Sequence, residues 1–543
     1  MLSPDSAHLQ RWLPVFKSIL IFLLLFRISS YSHATSVTVS GNVSGTWNTD
    51  TVFVKGNLLI PYNESLNILP GIVVEFNAYY SLEVQGQLLA KGLPGDTIIF
   101  TVKDTVNFGN QSTGKGGWSG IRFKATANNS DSSIFSFCCF RFGKAVEDST
   151  NSYGGAIQVK DFSKVRISDC LFYHNYSFYS GGAIYLWNSD IRLVRSVFRN
   201  NYSGNTGSVY GYGGGFCGMY SSPDLKENGF YENASTGIGG GVSFDGCNPV
   251  FNNNILINNR SALGGALGIL RSSPGLPMAN NLIMENEAEY FGGGICCIRS
   301  FPVFSNLTIT GNESASGGGF YCNDSAVPSI YNSIIWGNTG FGKSVYIWDV
   351  RSAPNFYFSD IEGDTSNFEG SGGQEGFHGH YDNNINSDPL FSNSDSSLYY
   401  LLAGSPCIDK GMPDAGSLEL PHTDLSGADR VYNNRIDMGV YEYHGTASVL
   451  NQNMRDHPVL VFPNPFNNQT IITLPQIVKN ATEIYISDLQ GTLIRRMQLM
   501  PQNTSIIWDG RDDRGYELPN GIYLLNVVSS EYFSPVKVVK GDL

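Results

Sequence analysis

The sequence predicts an all-β protein: a right-handed parallel β-helix, which is a solenoid, followed by a small C-terminal immunoglobulin-like β-sandwich. Three observations carry that prediction. The pair Gly154-Gly155 recurs as Gly181-Gly182, Gly213-Gly214, Gly239-Gly240, Gly264-Gly265, Gly292-Gly293 and Gly317-Gly318, at spacings of 25 to 32 residues. An apolar-x-x-Asn motif runs between the pairs, ending at Asn175, Asn201, Asn233, Asn259, Asn286, Asn312 and Asn338. The two motifs end with Gly317-Gly318 and Asn338, and past residue 459 short alternating strands take over.

Each element follows from local chemistry. Helical repeats need helix formers, whereas Gly, Asn, Ser and β-branched residues punctuate this unit throughout. The unit divides into short strands such as Ala183–Leu186, Ile191–Val194 and Ser196–Phe198. Three strands per coil would stack about 4.8 Å above those of the coil before. The glycine pair marks a corner that needs positive φ, and the Asn is expected to mark another, since Asn tolerates the left-handed region. Asn side chains stacked at one corner can also hydrogen-bond to one another up the solenoid. A lone coil cannot hold together. Ordering each residue costs about 1–2 kcal/mol, and four to six inward side chains contribute only about 1.5–3 kcal/mol each. Neighbouring coils must close the core.

The pattern starts earlier in looser form, at Leu66–Phe76, Leu82–Ala90, Ile98–Phe100 and Gly117–Phe123. The resulting organisation is an N-terminal cap with irregular coils over 35–150, regular coils over 151–345, C-terminal coils and a tail over 346–446, a linker at 447–458, and the sandwich over 459–543. The sandwich strands are expected at Ile471–Leu474, Glu483–Ser487, Thr492–Met497, Ser505–Trp508, Gly521–Val528 and Val536–Val539.

Residues 1–34 read as a secretory signal peptide. Arg11 and Lys17 precede the apolar run Ile19–Phe26, and Ser32-His33-Ala34 supplies small residues at the −3 and −1 positions. That run is too short to cross a bilayer, which takes about 20 apolar residues. The mature chain is therefore expected to be exported, with no integral membrane segment. Lys+Arg 34 against Asp+Glu 47 gives a net charge of −13. No basic stripe remains for phosphates, so nucleic acid is not an expected partner.

Several segments resemble known families. The paired GGA[ILV] and FxxN signatures, literal at Gly154, Gly181, Gly264, Phe172, Phe198 and Phe230, resemble the repeats of chlamydial polymorphic outer-membrane proteins, whose β-helical passengers act as adhesins. The resemblance covers about residues 150–345 and lacks that family's C-terminal barrel. Asp388-Pro389-Leu390-Phe391, Gly404–Gly411 and Asp437–Tyr443 look like the choice-of-anchor tail of secreted β-helices, expected to close the helix with Asp424–Arg430 as a loop. Phe462–Phe466, Ser487–Gly491, Trp508–Gly515 and Asn520–Leu525 resemble the type-A C-terminal sorting domain of type IX secretion substrates, with the flagellar-hook-capping immunoglobulin-like module as a relative. That resemblance implies export to the surface of a Gram-negative bacterium, with the type IX machinery as a partner of residues 459–543.

A search for chemistry mostly returns structure. The nine cysteines show no metal spacing and read chiefly as buried thiols, with a few disulfides between coils as the alternative. His378-Gly379-His380 with Asp382 is a weak metal seed, and no metal, cofactor or catalytic residue is assigned. Lys160, Asn188, Tyr220, Asp245, Arg271, Arg299 and Asp324 follow the glycine pairs by six or seven residues and should stack along one edge. A polysaccharide lyase would need a base and acids there. The reading adopted is a binding module for glycans or environmental surfaces, with a lyase or hydrolase and a structural surface protein as alternatives. The coil from Gly181 to Gly213 carries extra residues around 201–212, so Tyr176, Phe178, Tyr179, Tyr202, Tyr210, Tyr212 and Tyr220 are the candidate ligand-binding residues. Tyr rings among Ser, Gly and Asn give contact area at low entropy cost.

Overall fold

The computed structural model describes residues 35–94, 96–127, 130–146, 151–205, 211–392, 399–433 and 435–444, with the strands and several turns of 459–540. The signal-peptide reading at 1–34, the linker at 447–458 and Tyr210 lie outside the described residues. Among the described residues there is no α-helix. No helix is long and apolar enough to cross a membrane.

Residues 35–382 form parallel strands stacked coil on coil. The first sheet holds the strands that follow the glycine pairs, from Ile157–Lys160 and Ile184–Trp187 to Val345–Ile347. The second runs from Val165–Ser168 through Arg192–Val194 and Asp224–Lys226. The third holds the FxxN strands, from Leu171–Tyr173 to Asp360–Ile361. The structure adds a short fourth sheet that the repeat pattern does not announce. It follows each ladder Asn, at Tyr176–Ser177, Tyr202–Ser203, Glu287–Phe291 and Thr339–Phe341. At the N-terminal end the long strand Thr51–Ile60 joins two sheets. Thr51–Val54 pairs with Val73–Phe76 of the third, and Leu58–Ile60 with Leu82–Val84 of the first.

Inward residues alternate with outward ones along every strand, so the register stacks like on like. Phe100, Phe140, Phe172, Phe198 and Phe230 stack ring on ring at 4.6–5.0 Å. Leu256, Ile283, Ile309, Ile335 and Ile361 continue that column. All nine cysteines are buried and free. Even Cys297 and Cys322, directly paired in register, are thiols, and burial holds both above the ordinary range.

Two corners test the sequence reading. The first glycine of each pair does hold positive φ, from 61° at Gly213 to 74° at Gly239. The FxxN asparagine does not. The residue before it takes the left-handed turn: His174, Asn200, Glu232, Asn258, Glu285, Gly311 and Gly337 have φ between 51° and 69°. The asparagine instead turns its carboxamide inward. Asn286 Oδ1 accepts the Asn259 amide N–H at 2.8 Å and its side-chain N–H at 2.9 Å. Asn286 Nδ2 donates to the Leu256 carbonyl and to Asn312 Oδ1, and the same pattern runs from Asn175 to Asn338. Asn228, Asn254 and Asn281 build a second such ladder between the second and third sheets.

The tail does not cap the solenoid. It folds back along the outside of the third sheet, where Tyr400, Val440 and Tyr441 pack on Tyr231, Ile257, Leu282 and Met284. The buried Arg430 pairs with Glu442 at 3.0 Å, and Asn306 Nδ2 donates to the Asp437 and Gly439 carbonyls. Outward apolar residues on the third sheet thus find cover that a terminal plug would not supply.

The C-terminal segment has an antiparallel three-stranded sheet (Leu460–Phe462, Thr470–Thr473, Ser505–Trp508) and a four-stranded one (Leu493–Leu499, Thr482–Ser487, Gly521–Val528, Val536–Lys540). Phe466, Ile484, Ile486, Trp508 and Leu525 form their shared core. The six expected strands are present, and Leu460–Phe462 joins them.

Candidate functional site

The structure divides the candidate aromatics between two corners. Tyr176 and Tyr202 are register partners in the fourth sheet, with rings stacked at 5.8 Å. Tyr176 is buried and its hydroxyl donates to the Gly204 carbonyl at 3.1 Å, while Tyr202 is half-buried. Tyr179 and Phe178 meet edge to face, and Tyr179 stacks on Tyr153 at 5.2 Å beside the outer face of the first sheet. Tyr212 belongs to the same flank through its bridge to Ile238. Tyr220 is exposed at the far edge of that sheet, edge-on to the exposed Trp187 at 5.0 Å.

A cleft of about 230 Å³ opens beside Tyr176 and Tyr202, lined also by Phe108, Gly109, Gln111, His174, Asn175 and Asn200. Its outer wall is the loop between Val102 and Trp118, which interrupts the N-terminal coils and belongs to no repeat. Lys144 fixes that wall. Its ammonium, fully shielded from solvent, lies within 3.3 Å of the carbonyls of Asn107, Phe108, Asn110 and Lys115, and faces the Phe108 ring. Charge-assisted donors to four carbonyls hold a loop that has no strand partners of its own. Burial keeps the His174 imidazole below its ordinary range, so it faces the cleft as a neutral donor and acceptor. Phe108, Gln111 and Lys144 were not legible as site residues. Their only sequence signal is the break in repeat spacing after Val102.

The edge expected from the six-or-seven-residue offset exists with two corrections. Asp161, Asn188, Tyr220, Gly246, Arg271, Arg299 and Asp324 occupy the left-handed corner, with φ between 46° and 61°. Lys160 and Asp245 sit one position earlier, at the end of the first-sheet strand, so they are not members of the column. The arginines are engaged by carboxylates: Arg271 by Asp245, Arg299 by Asp324 at 2.7 Å, and Arg351 by Asp349 at 3.3 Å. The hydrogen bond that Arg271 donates to the Asp245 carboxylate holds the guanidinium above its ordinary range, the opposite of what a proton-abstracting base requires. His380 and Asp382 lie 3.8 Å apart and exposed, and no group of three metal-ligating side chains occurs among the described residues.

The half-exposed rings of Tyr202 and Phe108 and the neutral His174 imidazole offer stacking faces and hydrogen bonds to the cleft. Comparison with known families agrees with the architecture. A family model described as a right-handed β-helix region matches residues 119–300. A second, described as a FlgD Ig-like domain, matches residues 468–531. No curated protein matches the chain.

Proposed function

We propose that this chain is an exported surface protein whose β-helix binds glycans and whose C-terminal sandwich serves as a type IX sorting domain. The observation that carries the binding half is the cleft at Tyr202, where an aromatic pair and His174 face Gln111 on a loop clamped by Lys144. Sugar rings present C–H faces that stack on aromatics, and their hydroxyls suit Asn, Gln and His. The lyase reading has less support, because the arginines nearest the expected edge are paired.

The export half rests on the signal-like residues 1–34 and on the sandwich that matches the FlgD Ig-like description. Two measurements test the proposal. Polysaccharide pull-down with the full chain should retain soluble glycans, and Tyr202→Ala should weaken retention without lowering the melting temperature. Mass spectrometry of the surface-exposed protein should find the chain ending before residue 459. Retention of Leu543 on the exported protein would sink the sorting assignment.

A further inference from the structure

The outer wall of the cleft is built like an ion site. Lys144 opens the fourth-sheet column that carries the cleft rings, in register with Tyr176 and, one coil on, Tyr202. Its ammonium meets the carbonyls of Asn110 at 2.7 Å, Phe108 at 2.8 Å, Lys115 at 3.1 Å and Asn107 at 3.3 Å. Three N–H donors are thus shared among four oxygens. The rings of Phe108 and Tyr176 face the same charge at 5.4 and 6.0 Å. Burial lowers its titration to about 8, which leaves it charged at neutral pH.

Carbonyl dipoles that converge on one point repel one another unless positive charge sits between them. Here they converge where the cleft needs them. The carbonyls of Asn107, Phe108 and Asn110 bracket Phe108, Gly109 and Gln111, the loop residues that line the cleft. Amide bonds within the loop are local turns, from Phe108 to the Thr105 carbonyl, Asn110 to Asn107 and Gly117 to Gly114. The ammonium instead ties residues 107–110 of the outgoing half to Lys115 of the returning half. The two halves lie close: Gly116 holds φ at 79°, and a Cβ there would stand 2.3 Å from the Phe108 nitrogen.

We infer that the loop between Val102 and Trp118 is a carbonyl cage for a monovalent cation, filled in this chain by the Lys144 ammonium, and that the cleft takes its shape only while that place is filled. For what the cleft holds, the inference rests on the glycan-binding reading, and it adds the device that shapes the wall. Distance and ligand type select the ion. Calcium takes oxygens at about 2.3–2.6 Å and magnesium at about 2.0–2.1 Å, both usually with carboxylates. Oxygens 2.7–3.3 Å from the ammonium suit a larger ion. Uncharged carbonyls are also what potassium filters use in place of water. Potassium and free ammonium are therefore the ions this place takes once the Lys144 side chain is cut back.

The experiment compares the full chain with Lys144→Ala and Lys144→Gln at neutral pH and constant ionic strength, in tetramethylammonium chloride alone or with potassium, ammonium or calcium chloride. Trypsin nicking after Lys103 and Lys115, read by mass, reports the loop. Retention of a soluble neutral glucan reports the cleft. Wild type should be nicked slowly in every salt. Lys144→Ala should be nicked at least about tenfold faster in tetramethylammonium, because charge-assisted bonds to several carbonyls are lost. Potassium or ammonium should slow that nicking towards the wild-type rate and restore glucan retention, and calcium should do neither. Lys144→Gln refills the volume without the charge, so it should keep its fold, be nicked fast and gain nothing from potassium. Nicking of both variants at the wild-type rate would overturn the cage. So would a Lys144→Ala chain that no monovalent ion protects or refolds, or one that calcium protects in place of potassium. A wild-type chain that retains no glucan would sink the glycan reading, and the nicking pattern would still decide the cage.

Discussion

Two corners of the same coil follow opposite rules. At the ladder corner, Asn175, Asn201, Asn233, Asn259, Asn286, Asn312 and Asn338 repeat one residue with one bonding pattern. At the opposite edge, the structurally equivalent positions are Asp161, Asn188, Tyr220, Gly246, Arg271, Arg299 and Asp324, seven positions with five residue types. Both corners turn the backbone through the left-handed region. The difference is which side the side chain faces. A buried carboxamide must satisfy its own polar atoms and two neighbouring coils, so the repeat has one solution there. An exposed corner residue meets water and is free to vary, so whatever chemistry the protein offers a partner must be written in such outward positions.

The sharpest way to break this comparison is at the ladder. Replacing Asn286 by Leu removes acceptors used by two Asn259 donors and donors used by the Leu256 and Asn312 oxygens, all fully buried. A loss of about 2–4 kcal/mol is expected, because several buried partners are left unsatisfied at once. Chemical denaturation of the full chain measures it, and a cost below about 1 kcal/mol would place the ladder among dispensable contacts.

The second break is acidity beneath the tail. Asp360, on the third sheet, is fully buried, and its carboxyl accepts from the Ser387 amide at 3.1 Å and the Cys407 thiol at 3.1 Å. Burial, with Asp388 nearby adding to it, pushes the carboxyl up to about 7. A folded-state value raised above the unfolded one gives stability that is complete below about pH 4 and lost as the pH rises through about 7. Asp360→Asn should remove that slope, making the variant more stable than wild type above neutrality by roughly 2 kcal/mol. Parallel melting curves for the two proteins from pH 5 to pH 8 would show that Asp360 does not titrate in this range.

How much of this was legible beforehand follows the same inside–outside divide. The solenoid, the positive φ of the leading glycines and the cross-coil Asn bonds all follow from a repeated pattern whose spacing is visible in a single chain. The left-handed residue before each ladder Asn is not legible because it varies: His174, Asn200, Glu232 and Gly311 share a conformation without sharing chemistry. The fold-back of the tail was missed because its partners, Tyr231, Ile257 and Met284, sit in the outward register, where nothing local says what covers them. The cleft wall was missed for a related reason, since Lys144 meets its four carbonyls across an unrepeated loop.

That missed position sharpens the comparison directly. Glu285 holds φ at 55° where the next two coils have Gly311 and Gly337. A side chain in the left-handed region costs about 1–2 kcal/mol, and glycine gives part of that back through greater freedom in the unfolded chain. Glu285→Gly should therefore be neutral or stabilise by about 0.5 kcal/mol, whereas Asn286→Gly, one residue on, should destabilise as severely as Asn286→Leu. Equal losses from both glycine variants would return the corner to the asparagine.

The smallest effect belongs to the exposed edge. Arg299 and Asp324 approach to 2.7 Å, but their side chains are 61% and 34% exposed. Water and salt screen such a pair, and holding two long side chains in one geometry costs rotamer freedom, so exposed pairs contribute about 0–1 kcal/mol. Arg299→Ala should shift stability by about 0.5 kcal/mol or less, and the shift should shrink further in about 1 M salt, where the screening length falls to about 3 Å. Denaturation of the full chain at low and high salt reads the shift. A loss of several kcal/mol would mean that this edge is built like the ladder and that its sequence variety conceals a structural requirement.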